Sequence, residues 1–133
     1  MSERSMQEPT FLILTALAAG PQHGYGVIND VREISDGRVR LRAGTLYAAL
    51  DRLQSEGLVA ADREEVVDGR LRRYYRLTGD GAGRLAAEAE RLRRHAEAAS
   101  TRLRVRPAGG ALFRRGPARG AARFRRDPAG GAA

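Results

Sequence analysis

The chain has no cysteine, tryptophan or lysine, and only seven of its 133 residues are aromatic. Without cysteine there is no disulfide scaffold, no thiolate zinc site and no cysteine nucleophile, and the expected setting is a reducing cytoplasm. The two histidines, His23 and His95, lie far apart in sequence, so no metal site is expected. No apolar run approaches the roughly 18 residues that a membrane-spanning helix needs. The opening MSERSMQEPT lacks a basic-then-apolar region, so no secretory signal is expected. With few aromatics, the core must be built from Leu, Val, Ile and Ala.

The chain does have arginine: all 24 of its basic residues are Arg, and the net charge is +8. A charge of this size suggests nucleic acid only if it sits where a nucleic acid could lie. Residues 1–77 hold eleven arginines against eleven acids, and residues 78–103 hold five against four. Residues 104–133 hold eight arginines against Asp127 alone, so the excess belongs to the tail. Arginine without lysine, together with abundant Ala and Gly, matches the codon usage of a GC-rich genome. Function must therefore be read from the placement of particular residues.

Four regions are expected: a disordered start (1–8), a folded domain (9–78), a long helix (79–103) and a disordered Arg/Gly/Ala/Pro tail (104–133). Within the domain, FLILTALAAG reads as a helix with Phe11, Leu14 and Ala18 in one stripe, stopped by Gly20-Pro21. A second helix begins at Gly24-Tyr25, with Tyr25, Ile28, Val31 and Ile34 on its packing face. A third runs from Ala43 to Glu56, with Leu46, Ala49, Leu50 and Leu53 inward and Tyr47, Asp51 and Gln54 outward; Gly57 ends it. The period then changes. LVAADREEV and RLRRYYRL read as strands joined at Asp68-Gly69, a strong hairpin signal. Leu71, Arg73, Tyr75 and Leu77 should face one way, and Arg72, Tyr74 and Arg76 the other.

Thr78 is placed to cap the last helix, in which Leu85, Ala89, Leu92, Ala96, Ala99 and Leu103 recur in steps of 4, 3, 4, 3 and 4. That seam asks for a partner helix, and these six residues are the expected dimerisation contacts. The fold class is thus mainly α with a β-hairpin wing: a winged helix-turn-helix followed by one long C-terminal helix. In such a domain the third helix enters the major groove of DNA and the wing lies on the backbone or in the minor groove. The candidate DNA-binding residues are Arg40, Arg42, Gly44, Thr45 and Tyr47 around the start of the third helix, and Arg70, Arg72 and Arg73 on the wing. Arg73, on the inward face, serves equally as an ion-pair partner. Tyr25 is assigned to packing between the second and third helices, with a phosphate contact as the alternative. No nucleophile, catalytic carboxylate pair or phosphate loop is present, so no enzyme and no cofactor are expected.

At His23-Gly24-Tyr25-Gly26, Gly44-Thr45-Leu46-Tyr47-Ala48-Ala49-Leu50, Gly57-Leu58 and Arg73-Tyr74-Tyr75-Arg76-Leu77-Thr78, the sequence resembles the PadR family of bacterial transcriptional regulators. The resemblance covers about residues 9–103, and its combined spacing is specific. It implies a dimeric repressor that binds a palindromic operator and releases it when a small molecule binds. The expected partners are double-stranded DNA, a second copy of the chain and a small apolar or aromatic effector, with no membrane. The effector would sit between the long helix and the winged domain, lined by Leu and Ala. Ala48 stands where the family usually has Pro, Gly26 where an acid is common, and the tryptophan that sandwiches aromatic drugs in some relatives has no counterpart. A winged-helix module for protein–protein association without DNA is the alternative.

Overall fold

A computed structural model describes residues 6–107, in two compact units divided between Leu92 and Arg93. The first unit holds three helices, a three-stranded sheet and the start of a fourth helix. None of the described helices is long and apolar enough to cross a membrane. The arrangement is that of a winged helix-turn-helix, and the expected fold class holds.

Helix α1 (Glu8–Ala18) starts with Pro9 in its first turn, where the missing N–H costs nothing. It is buried on most of its circumference rather than along one stripe. Leu12, Ile13, Leu14, Ala16 and Leu17 all face the core, whereas Ala18, expected inside, is exposed. The chain leaves it through Gly20, whose φ of 146° suits a glycine. Of the expected disordered start, Met6 to Glu8 are described, and Glu8 already belongs to this helix.

A two-residue strand, β1 (Gln22–His23), comes next, too short to leave a periodicity in the sequence. His23 also caps helix α2 (Gly24–Ile34): its Nδ1 accepts the Gly26 N–H at 3.2 Å. The buried face of α2 is Gly24, Val27 and Val31. Tyr25 and Ile34, expected to pack, are 69% and 45% exposed. Tyr25 stands one residue out of phase with the valines, which fix the inward direction because they are the residues fully buried.

Helix α3 (Ala43–Ser55) buries Leu46, Leu50 and Leu53 completely, on the expected face. It ends in a Schellman motif: Leu58 N–H donates to the Leu53 carbonyl at 2.9 Å and Gly57 N–H to that of Gln54 at 3.0 Å, with Gly57 at φ 78°. The wing follows as β2 (Val59–Val67) and β3 (Arg70–Leu77), antiparallel, with Asp68 and Gly69 at φ 52° and 75° in the primed turn that suits right-twisted strands. The ladder slips between Ala61 and Glu64, a bulge opposite Tyr74.

The sheet order is β1-β3-β2, so β3 is central and both of its faces are covered near its end. Tyr75 packs into the core. Tyr74, expected on the outward face, is also buried: the His23 ring meets it edge-on at 5.4 Å and the Arg63 guanidinium stacks 3.8 Å from its centroid. Its hydroxyl donates to Glu65 at 2.7 Å. Leu71, expected inward, is 57% exposed because the wing extends past the core at that point.

Helix α4 (Gly79–Arg104) is capped by Thr78, whose Oγ1 accepts from Gly81 N–H at 2.9 Å and donates to the Gly57 carbonyl at 2.7 Å. The first turn lies so close to the end of α3 that a Cβ at Gly81 would stand 2.1 Å from the Leu58 carbonyl oxygen. Leu85 packs on the core. Glu88, 8% exposed, is bonded to Arg91. The described part of the second unit continues α4 to Arg104 and then the chain to Pro107. The rest of the expected tail lies outside the described residues.

Candidate nucleic-acid interface

The start of α3 is open. Arg42 precedes it without a side-chain cap bond, and Gly44, Thr45 and Tyr47 are exposed in its first turns. Nothing lies within 4 Å of the position a Gly44 Cβ would take. The first backbone N–H groups of a helix have no partner within it and favour anions or hydrogen-bond acceptors.

Tyr47 is 42% exposed and held in place from beneath. Its hydroxyl lies over Gly24, where a Cβ would stand 2.3 Å from the oxygen, and its ring centroid is 6.4 Å from that of Tyr75. Gly24 thus lets the side chain of α3 settle on the first turn of α2. Burial pushes the Tyr75 hydroxyl above the usual phenol range, with Tyr47 beside it adding to the shift, so Tyr75 remains a neutral support.

Tyr47 faces the wing across a cleft of about 540 Å³, lined also by Gly24, Tyr25, Arg70, Leu71 and Arg72. Arg73 borders it too. The fold therefore brings Tyr47, Arg70, Arg72 and Arg73, distant in sequence, to one surface. Arg40 and Arg42 do not line this cleft; they occupy the loop before α3, where Arg40 Nε donates to the Gly37 carbonyl at 3.1 Å.

Ion pairing divides the wing arginines. At its base Arg73 meets Glu64 at 3.4 Å, Arg76 meets Asp62 at 3.8 Å, and Arg63 meets Asp62 at 3.3 Å and Glu65 at 3.8 Å. Such exposed pairs are worth about 0–1 kcal/mol each, but they cancel charge locally. Toward the tip, Arg70 and Arg72 have no carboxylate partner among the described residues. The unbalanced positive charge of the wing is thus next to the cleft. His23, at the back of the cleft, is held below the ordinary imidazole range by burial and then by Arg72, with Glu65 opposing.

Tyr25 lines the cleft although its sequence position suggested packing. The phase of Val27 and Val31, strongly apolar and one helical turn apart, is the signal that would have placed it outside.

On α4, the expected seam residues Ala89, Leu92, Ala96, Ala99 and Leu103 are all exposed in the single chain, Leu92 by 39% and Leu103 by 63%. Leu85 differs, since it is partly taken up by the chain's own core. The hollow beside the start of α4, about 460 Å³, is lined by Gln7, Thr10, Arg52, Glu56 and Arg84 together with Met6, Leu53 and Leu58, rather than by the expected Leu and Ala.

The Transcriptional regulator PadR-like family matches residues 13–87. A transcriptional regulator of Mycobacterium tuberculosis is 42% identical over 57 residues, 43% of this chain, and the chain spans only about half of that relative (52%). The crystal structure of a PadR family transcription regulator from Clostridium difficile superposes with a TM-score of 0.62 at 27% identity, covering 73% of this chain and 99% of that one. A transcriptional regulator of Clostridium thermocellum shares the fold, with a TM-score of 0.58 at 24% identity over 69% of this chain and 89% of that one. These matches are to transcriptional regulators rather than to enzymes. With the family model matching more than half of its length, the chain belongs to the PadR-like family of transcriptional regulators.

Proposed function

We propose that the chain is a cytoplasmic, homodimeric repressor that grips an inverted-repeat operator and releases it when a small molecule binds. The observation that carries this reading is Tyr47, in the exposed first turns of α3, set across one cleft from unpaired Arg70 and Arg72. Thr45 and Tyr47 contact base edges or phosphates in the major groove, and the Gly44 amide faces a phosphate. Arg40 and Arg42 meet the backbone that passes the start of α3. Arg70 and Arg72 clamp the flanking strand, while Arg73, paired with Glu64, chiefly orients the wing.

The dimer rests on α4. Ala89, Leu92, Ala96, Ala99 and Leu103 leave an exposed stripe at heptad spacing, and Leu85 adds its remaining surface. A two-fold pair then sets two α3 helices in successive major grooves, with half-sites roughly 10 base pairs apart, centre to centre. For the effector, the hollow beside Arg84 suits a polar molecule better than the apolar or aromatic one expected from sequence, because Arg52, Glu56 and Thr10 supply its walls.

Selection of bound duplexes from random DNA tests the reading. An inverted repeat with that spacing is expected. The pairing of Arg63, Arg73 and Arg76 with Asp62, Glu64 and Glu65 favours the second reading, a protein-association module, and a selection that enriches no sequence would decide for it.

A further inference from the structure

Glu65 and Arg72 are direct partners across the β2–β3 ladder, so their side chains leave the same face of the wing. Opposite charges so placed are within reach of each other and ordinarily pair. These two do not. Among the described residues no carboxylate pairs with Arg72. Glu65 instead accepts from the Tyr74 hydroxyl at 2.7 Å and meets Arg63 Nε at 3.8 Å. Tyr74 is the next residue of β3 on that face, one pleat from Arg72 toward the base of the wing. The carboxylate is thus drawn diagonally away from its partner. Both charges stay close to His23, whose pKa Arg72 lowers and Glu65 raises.

The burial of Tyr74 explains this choice. Its ring meets His23 edge-on and is covered by the Arg63 guanidinium. A hydroxyl so enclosed needs a partner, and leaving it without one costs more than an exposed ion pair gains. A hydroxyl donating to a carboxylate is also among the stronger hydrogen bonds. Arg72 is only partly buried and lines the cleft shared with Tyr47. With Glu65 held elsewhere, it keeps its full charge there. An arginine already paired with a carboxylate would have to break that pair before meeting a phosphate, and would release less counterion on binding.

We infer that Tyr74 is a positioning residue for DNA binding: its hydroxyl withholds Glu65 from Arg72, so that the Arg72 guanidinium stands free in the cleft to meet a phosphate. This rests on the reading of Arg72 as a DNA contact and adds a buried residue that itself touches no DNA. Strand alternation puts Tyr74 and Arg72 on one face, but does not show that the hydroxyl takes the acid opposite Arg72.

The test uses the full chain, a duplex that it has selected from random DNA and a scrambled duplex, at several salt concentrations. Tyr74→Phe keeps the ring that His23 and Arg63 contact and removes only the hydroxyl. It should weaken binding to both duplexes about two- to fivefold for each wing engaged, the range of one cross-strand pair of opposite charges. The salt slope should fall toward that of Arg72→Ala. In the Arg72→Ala background the same change should have no effect. Glu65→Gln should improve affinity more in Tyr74→Phe than in the wild-type chain, a coupling that loss of one negative charge does not by itself produce. If the Tyr74→Phe hairpin is perturbed, Arg63→Gln, which frees Glu65 from its other contact, should show the same coupling with Glu65→Gln. A crystal structure of Tyr74→Phe should place the Glu65 carboxylate against Arg72. The inference is overturned if Tyr74→Phe leaves affinity and salt slope unchanged, or weakens binding equally in the Arg72→Ala background, which would make the hydroxyl merely structural. It is also overturned if the gain from Glu65→Gln is the same in both chains. Failure of the underlying reading shows separately, as an Arg72→Ala single variant that binds like the wild type, and takes the inference with it.

Discussion

The hydroxyl of Tyr47 lies directly over Gly24, where a Cβ would stand 2.3 Å from it. The first turn of α2 thereby sets where the outward side chain of α3 points. Gly24→Ala would push Tyr47 off this seat, since the crowding atoms are the far end of a side chain and can swing outward. The protein should remain folded, losing less than about 2 kcal/mol, while affinity for the selected operator falls on the order of tenfold, as for loss of one specific contact. Combining it with Tyr47→Ala should add little further loss, which a double-mutant cycle in binding free energy would measure.

His23 links stability to pH. Its folded-state pKa is depressed below the ordinary value of 6.5 by burial and by Arg72, and its Nδ1 must be unprotonated to accept from Gly26. The unfolded chain therefore takes up a proton first as pH falls. The contribution is fully present above 6.5 and is lost as pH drops from there through the folded value. His23→Asn should retain the cap and flatten this acid limb in thermal melts. His23→Ala should cost about 1 kcal/mol at neutral pH.

Gly81 is the tightest point between α4 and the end of α3. Its Cβ position is 2.1 Å from a backbone oxygen, which cannot rotate away. Gly81→Ala should destabilise by about 1–3 kcal/mol despite the better helix propensity of alanine. Gly83→Ala, where nothing lies within 4 Å, should be neutral or stabilising in the same denaturation experiment.

Leu92 tests the dimer. It is 39% exposed in the single chain and central to the α4 stripe. Leu92→Glu should give a monomer by analytical ultracentrifugation at micromolar concentration with its helix content unchanged. A variant that still sediments as a dimer would move the interface elsewhere.

The three helices, the hairpin and its turn were legible because each carries a local signal: apolar spacing in α3, Asp68-Gly69 at the turn, Thr78 before α4. The misplacements have a common cause, which is that burial depends on neighbours far along the chain. Tyr74 is buried because β1 makes β3 a central strand, and a two-residue strand leaves no pattern to detect. Leu71 is exposed because the wing extends past the core. Tyr25 shares helical spacing with Ile28, Val31 and Ile34, but Val27 and Val31 set the inward face and leave it outside. That Tyr47, Arg70, Arg72 and Arg73 share one cleft, and that Arg73 pairs with Glu64, depends on how the wing folds back and has no local signal in the sequence.

The central claim is that the start of α3 reads sequence while the wing tip grips the backbone, and affinity for operator and scrambled DNA at several salt concentrations tests it most directly. Arg72→Ala should weaken binding to both DNAs and lower the salt slope by about one per subunit. Thr45→Ala and Tyr47→Ala should each cost about 1–3 kcal/mol on the operator and little on scrambled DNA. Equal losses on both DNAs for the Thr45 and Tyr47 variants, or no change for any of the three, would contradict the account.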